Sequence, residues 1–171
     1  PGGSFDTFGD GFGHFEALGI PSVEADAEVI AAAAEKYLGA IPQDARHFLW
    51  IQIFDAHAPY RSWPGFDFGN HKLARYDSEI AHADAALGRI VTALKTARIF
   101  DESLIIVHAD HGESFGDHGL EYHHSSLYEA QIHVPLTVRT PRSAPQMVQE
   151  TVSLIDLLPT ATDILALPDP D

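Results

Sequence analysis

Apolar residues recur at positions 27, 30, 31, 34, 37 and 38, the 3.6-residue period of a helix that buries one face. Pro21 and Ser22 read as the opening of that helix, and Gly39 and Pro42 as its close. Phe48 to Ile53 is instead a short continuous apolar run, which predicts a buried strand. The sequence PYRSWPGFDFGN then predicts a loop by its prolines and glycines. A second helix is expected from about Asp77 to Lys95, with Ile80, Ala83, Leu87, Ile90, Val91 and Leu94 along one side. Its acidic start and basic end suit the helix dipole. A β-branched run at Leu104–Val107 predicts another buried strand, Val134 to Arg139 a further one, and Ser153 to Leu165 a last amphipathic helix with Pro159 near its first turns. Strands alternating with helices imply an α/β fold, a sheet covered on both faces. Residues 1–20, rich in Gly and Phe, have neither period and read as a loop segment.

The pattern becomes chemically informative where the strand at Leu104–Val107 ends. There the apolar run gives way to Asp110-His111-Gly112-Glu113. In open α/β sheets, ligands and catalytic groups gather at the carboxyl ends of strands, because loops leaving the core there aim side chains into a shared crevice. An ionised carboxylate and a neutral imidazole suit a divalent ion, and the glycine after them lets the backbone turn away sharply. A capping Asp110 beside a hydrogen-bonded His111 is the alternative for the dipeptide taken alone. His57 also follows a predicted strand. His123 and His124 are adjacent, so in an extended segment only one of them readily enters a given site. Asp117-His118 repeats the first pair inside a glycine-rich loop, where a structural role is expected.

Charge and composition narrow the partners. With 171 residues and 45% hydrophobic content the chain can bury one sizeable core, and a single domain is the natural expectation. Ten basic against twenty-five acidic residues give a net charge of -15, which argues against a nucleic-acid surface and against anionic lipid. An anionic substrate would need a local cation, and a divalent metal held among the eleven histidines would supply one. The absence of cysteine excludes zinc-thiolate sites and cysteine nucleophiles within this chain. No run approaches the ~18 apolar residues of a membrane span. The chain begins at Pro1 and its only methionine is Met147, so it reads as a piece of a longer protein.

Five blocks then match a family in order and spacing: FLWIQIFDAHAPY, RYDSEIAHADAALGRIVTAL, the strand with ADHGESFGDHG, HHSSLYEAQIHVPLTVRTP, and SLIDLLPTATDIL. Together they resemble the C-terminal part of the sulfatase family, within the alkaline phosphatase superfamily. The resemblance implies an alkaline-phosphatase-like sheet flanked by helices, incomplete here because the N-terminal half is missing. It implies that Asp110 and His111 are the second half of a metal site, usually calcium, with manganese or zinc open. It implies that His57 contacts the substrate ester and protonates the leaving oxygen, and that His124 lies against the transferred group. The implied substrate is an anionic sulfate ester. A phosphodiester or phosphonate hydrolase, or a phosphoethanolamine-type transferase, is the alternative on the same fold, and a catalytically inactive binding module is the alternative of another class. The family's nucleophile block, Cys or Ser followed by x-Pro-x-Arg, does not occur in this sequence. Ser143-Ala144-Pro145 has its first characters, but Met147 stands where Arg is required.

Overall fold

The computed structural model describes residues 12–18, 26–42, 44–123 and 126–168. The chain divides into two units, residues 1–97 and 98–171. In the first unit, helix α1 spans Ala27–Leu38 and buries Ala27, Ile30, Ala31, Ala34 and Leu38, the face the 3.6-residue period predicts. Its N-cap is Asp26, whose side chain accepts the Val29 N–H at 3.1 Å. The expected opening at Pro21 and Ser22 lies outside the described residues, and Gly39 caps the other end.

Helix α2, Lys72–Thr96, packs against α1. Arg89 joins the two: its Nε and Nη2 donate to the carboxylate of Glu35 at 2.8 and 2.6 Å, and its Nη1 donates to Glu28. The Arg89 hydrogen bond holds the Glu35 carboxyl below its ordinary range, and the guanidinium is raised in turn. Two expectations about α2 are corrected. It begins five residues earlier than Asp77, because the His71 side chain accepts the Ala74 N–H at 3.2 Å and caps the helix there, so its first turn holds no acidic residue. Its buried stripe is Ala74, Ser78, Glu79, His82, Ala86 and Ile90, and Ile80 is exposed. Three polar residues are inside because this face receives a loop.

Phe48 to Ile53 does not form the predicted strand. It runs without strand pairing among the described residues, with Phe48 and Trp50 exposed. Apolar strand character is realised only when a neighbouring strand completes the ladder, and none does so among the described residues.

In the second unit, strand β1 is Ile105–His108, followed by the β2–β3 hairpin of Ser114–Phe115 and Glu121–Tyr122. The single-turn helix α3, Glu129–Ile132, leads to strand β4, Leu136–Arg139. β1 and β4 pair antiparallel, Ile105 facing Arg139 and His108 facing Leu136. β1 is less buried than its composition predicts: among the described residues it pairs with one strand, and Val107 and His108 are exposed. Arg139 closes the pair's base, donating to the Ser103 carbonyl at 3.0 Å with its guanidinium over the Phe100 ring. A capping box of Ser153 and Asp156 starts the last helical segment, which continues as α4, Leu157–Ile164, with Pro159 in its first turn. No helix among the described residues is long and apolar enough to cross a membrane.

Candidate functional site

In the first unit, the segment from Asp55 to Trp63 carries His57 and is tied to one turn of α2. Asp55 Oδ1 accepts from His82 Nδ1 at 2.6 Å, and its Oδ2 accepts the Ala27 N–H at 2.8 Å. Glu79 Oε2 accepts the Ala56 N–H and its Oε1 the Arg61 N–H, each at 2.9 Å. Ser78 Oγ accepts the Trp63 N–H at 2.7 Å, and the Trp63 ring lies flat on His82 with centroids 3.8 Å apart. The Arg61 guanidinium lies over the Trp63 ring, 4.6 Å from its centroid. His57 itself is exposed, and its Nδ1–H donates to the Ala58 carbonyl at 2.8 Å. That bond fixes the ring's orientation.

In the second unit, Asp110 and His111 follow the end of β1 after one intervening residue. Asp110 Oδ1 accepts the His111 N–H at 3.0 Å, and His111 Nδ1–H donates to the Gly112 carbonyl at 2.9 Å. With Nδ1 holding the proton, His111 Nε2 is a lone-pair donor, 3.8 Å from Asp110 Oδ1. An imidazole whose other nitrogen is held by a backbone carbonyl is the usual form of a metal-bound histidine. Two donors that far apart lie within reach of one ion at metal–ligand distances of about 2.0–2.6 Å. The pair therefore fits a divalent ion, and both side chains are accessible. Among the described residues no three His, Asp or Glu side chains are grouped to hold a metal.

The neighbouring histidine pair divides in a way its sequence leaves open. His123 stacks on the His111 ring, centroids 4.0 Å apart, and its Nδ1–H donates to Glu113 Oε1 at 3.1 Å. His124, the residue expected against the transferred group, lies outside the described residues. Asp117 and His118, the repeated pair, stay in the hairpin. Asp117 Oδ2 accepts the Phe115 N–H at 3.3 Å and His118 stacks on Tyr128, a structural arrangement.

Two further residues hold this loop. Gln131, buried on α3, donates from Nε2 to Ser114 Oγ at 2.9 Å and to the Tyr122 carbonyl at 3.3 Å, while its Oε1 accepts the Ser126 N–H at 3.2 Å. Gly112 donates its N–H to the Gln131 carbonyl at 2.8 Å, and a Cβ there would sit 2.2 Å from the Ala130 carbonyl oxygen. Gly112→Ala is accordingly expected to cost about 1–3 kcal/mol, because backbone must move to admit the methyl. A urea midpoint unchanged from the parent would contradict this close approach. Glu79, His82 and Gln131 are the residues that sequence reasoning missed. A polar i, i+1, i+4 set at Ser78, Glu79 and His82, just after a proline- and glycine-rich loop, was the available signal.

The sequence profile described as "Sulfatase" matches residues 1–167. Human "Arylsulfatase K" is 38% identical over 98 residues, 57% of this chain and 18% of that protein. "Choline-sulfatase" of Rhizobium meliloti (strain 1021) is 29% identical over 136 residues, 76% of this chain and 25% of that protein. The chain thus spans a quarter or less of the length of these relatives. Among solved structures, the "Phosphonate monoester hydrolase SpPMH from Silicibacter pomeroyi" superposes with a TM-score of 0.61 at 21% identity, covering 97% of this chain and 46% of that one. Ps i-CgsB, solved in complex with k-i-k-neocarrahexaose, gives 0.69 at 18% identity, covering 88% and 36%. Likeness at that identity establishes the fold, α/β as the residues predict and alkaline-phosphatase-like as the family resemblance implies.

Proposed function

The chain belongs to the sulfatase family, and we propose that it supplies part of the active site of a metal-dependent hydrolase of sulfate esters. The observation that carries the reading is the Asp110-His111 turn at the end of β1, where a carboxylate oxygen and an imidazole lone pair lie 3.8 Å apart. Asp110 and His111 would hold a divalent ion, calcium before manganese or zinc. When bound, that ion supplies positive charge to the sulfate oxygens and lowers the nucleophile's pKa.

This chain's other residues do the following. His57, as imidazolium, gives its Nε2 proton to the departing alcohol oxygen while Nδ1–H stays on the Ala58 carbonyl. His124 stabilises the charge on the sulfate oxygens that do not leave. Glu113 and the stacked His123 keep the His111 ring in place. The nucleophile comes from outside this sequence, so the 171-residue chain by itself is expected to turn over no ester.

The test uses the full-length protein with divalent metal present, assayed against a nitrophenyl sulfate, a nitrophenyl phosphodiester and a nitrophenyl phosphonate. The sulfate should be preferred in kcat/KM by about tenfold or more, a transition-state difference of about 1.4 kcal/mol. Preference for either phosphorus ester would move the protein to that substrate class on the same fold. No turnover of any of the three would make it a binding module.

A further inference from the structure

His57 lies on a segment whose two ends are fastened to a single buried carboxylate. Glu79 is 1% exposed. Its Oε2 takes the N–H of Ala56, immediately before His57, and its Oε1 takes the N–H of Arg61, four residues after it. Ala56 has φ 74, the left-handed region that a residue with a Cβ seldom occupies, so this backbone position needs an external hold. The same turn of α2 secures the flanks through His82 to Asp55 and Ser78 to the Trp63 N–H.

A buried carboxylate is an expensive way to fill space beside a loop. Desolvation disfavours its charge, and an apolar side chain on that face would pack without the penalty. What the carboxylate does that an apolar or amide group cannot is accept two backbone N–H groups at once, one on each oxygen, with the Arg61 Nε at 3.4 Å as a partial counter-charge. We infer that Glu79 is the positioning residue for His57, fixing both ends of residues 56–61 so that Nε2 of His57 is aimed at the leaving oxygen. The inference rests on the acid role proposed for His57. Glu79 touches no substrate and acts only through the backbone it holds.

A misplacement of about 1 Å at a reacting group can cost up to a hundredfold in rate. Glu79→Gln keeps the shape but turns an N–H donor toward one of the two backbone N–H groups. In the full-length protein it should therefore lower kcat on an alkyl sulfate by about ten- to a hundredfold, while changing a nitrophenyl sulfate much less. In a His57→Ala background the same substitution should cost nothing further on the alkyl ester, since the group it aims is gone. Arg61→Ala, which leaves both backbone bonds, should keep the parent's leaving-group dependence. Should Glu79→Gln not fold by circular dichroism, Glu79→Asp gives the same reading, because a carboxylate withdrawn by about 1.5 Å cannot reach both donors.

Equal losses on the two esters, or losses that add in the double variant, would overturn the inference and make Glu79 a stabilising residue only. The acid reading fails separately: His57→Ala alone would then harm both esters alike.

Discussion

Replacing His57 by alanine in the full-length protein is expected to slow hydrolysis of an alkyl sulfate by a hundredfold or more, and of a nitrophenyl sulfate far less. The reasoning is about where the proton is needed. An alkoxide leaving group has a high pKa and cannot depart without being protonated in the transition state, whereas a nitrophenolate carries its charge unaided. Removing a general acid typically costs 10²–10⁴-fold where its proton is required. The structure presents His57 suitably for this, exposed, with Nδ1–H on the Ala58 carbonyl and the loop around it fastened to α2. Steady-state kinetics over a series of esters of graded leaving-group pKa measures the effect as a steeper dependence in the variant. His124→Ala should instead depress every member of the series together, because charge on the transferred sulfate is common to all of them. A His57→Ala line parallel to the parent's would return His57 to binding or structure.

What the sequence discloses and what it hides divide along one physical line. The placement of Asp110 and His111 just past a strand was legible because a β-branched run stops abruptly at a polar turn, and that break is written in adjacent residues. The inward face of α1 was legible for a similar reason, since Ala27, Ile30, Ala31, Ala34 and Leu38 are both apolar and periodic. The face of α2 was not, because periodicity weighs side-chain polarity alone. Ser78, Glu79 and His82 are polar and nonetheless buried, each meeting a group supplied by residues 55–63. Which backbone N–H groups need an acceptor is a property of the folded loop and leaves no apolar mark. The run at Phe48 to Ile53 erred in the opposite direction: its residues favour a strand, but a strand exists only as one side of a ladder. The sequence does not say which way His123 turns, and only the contact with Glu113 and His111 shows it.

Two Asp-His-Gly tripeptides in one chain provide their own control for the metal site. Asp110→Ala removes the only carboxylate of the pair proposed to hold the ion, and with it the negative charge that a hard divalent cation needs most. In the full-length protein, calorimetric titration with calcium should show affinity reduced by about a hundredfold or more, since even outer-shell changes at such sites cost 10–100-fold. Activity should fall with it and recover in part as the metal concentration is raised, because mass action refills a weakened site. Asp117→Ala should do neither. Its carboxylate accepts the Phe115 N–H within the β2–β3 hairpin, so losing it loosens a turn and leaves the affinity for calcium near the parent's. The identical tripeptides thus differ only in where the backbone puts them, one at the end of β1 and one inside a hairpin whose Gly116 has φ 103. Calcium binding that survives Asp110→Ala unchanged would place the metal on other ligands and leave His111 a hydrogen-bonded residue at a strand end.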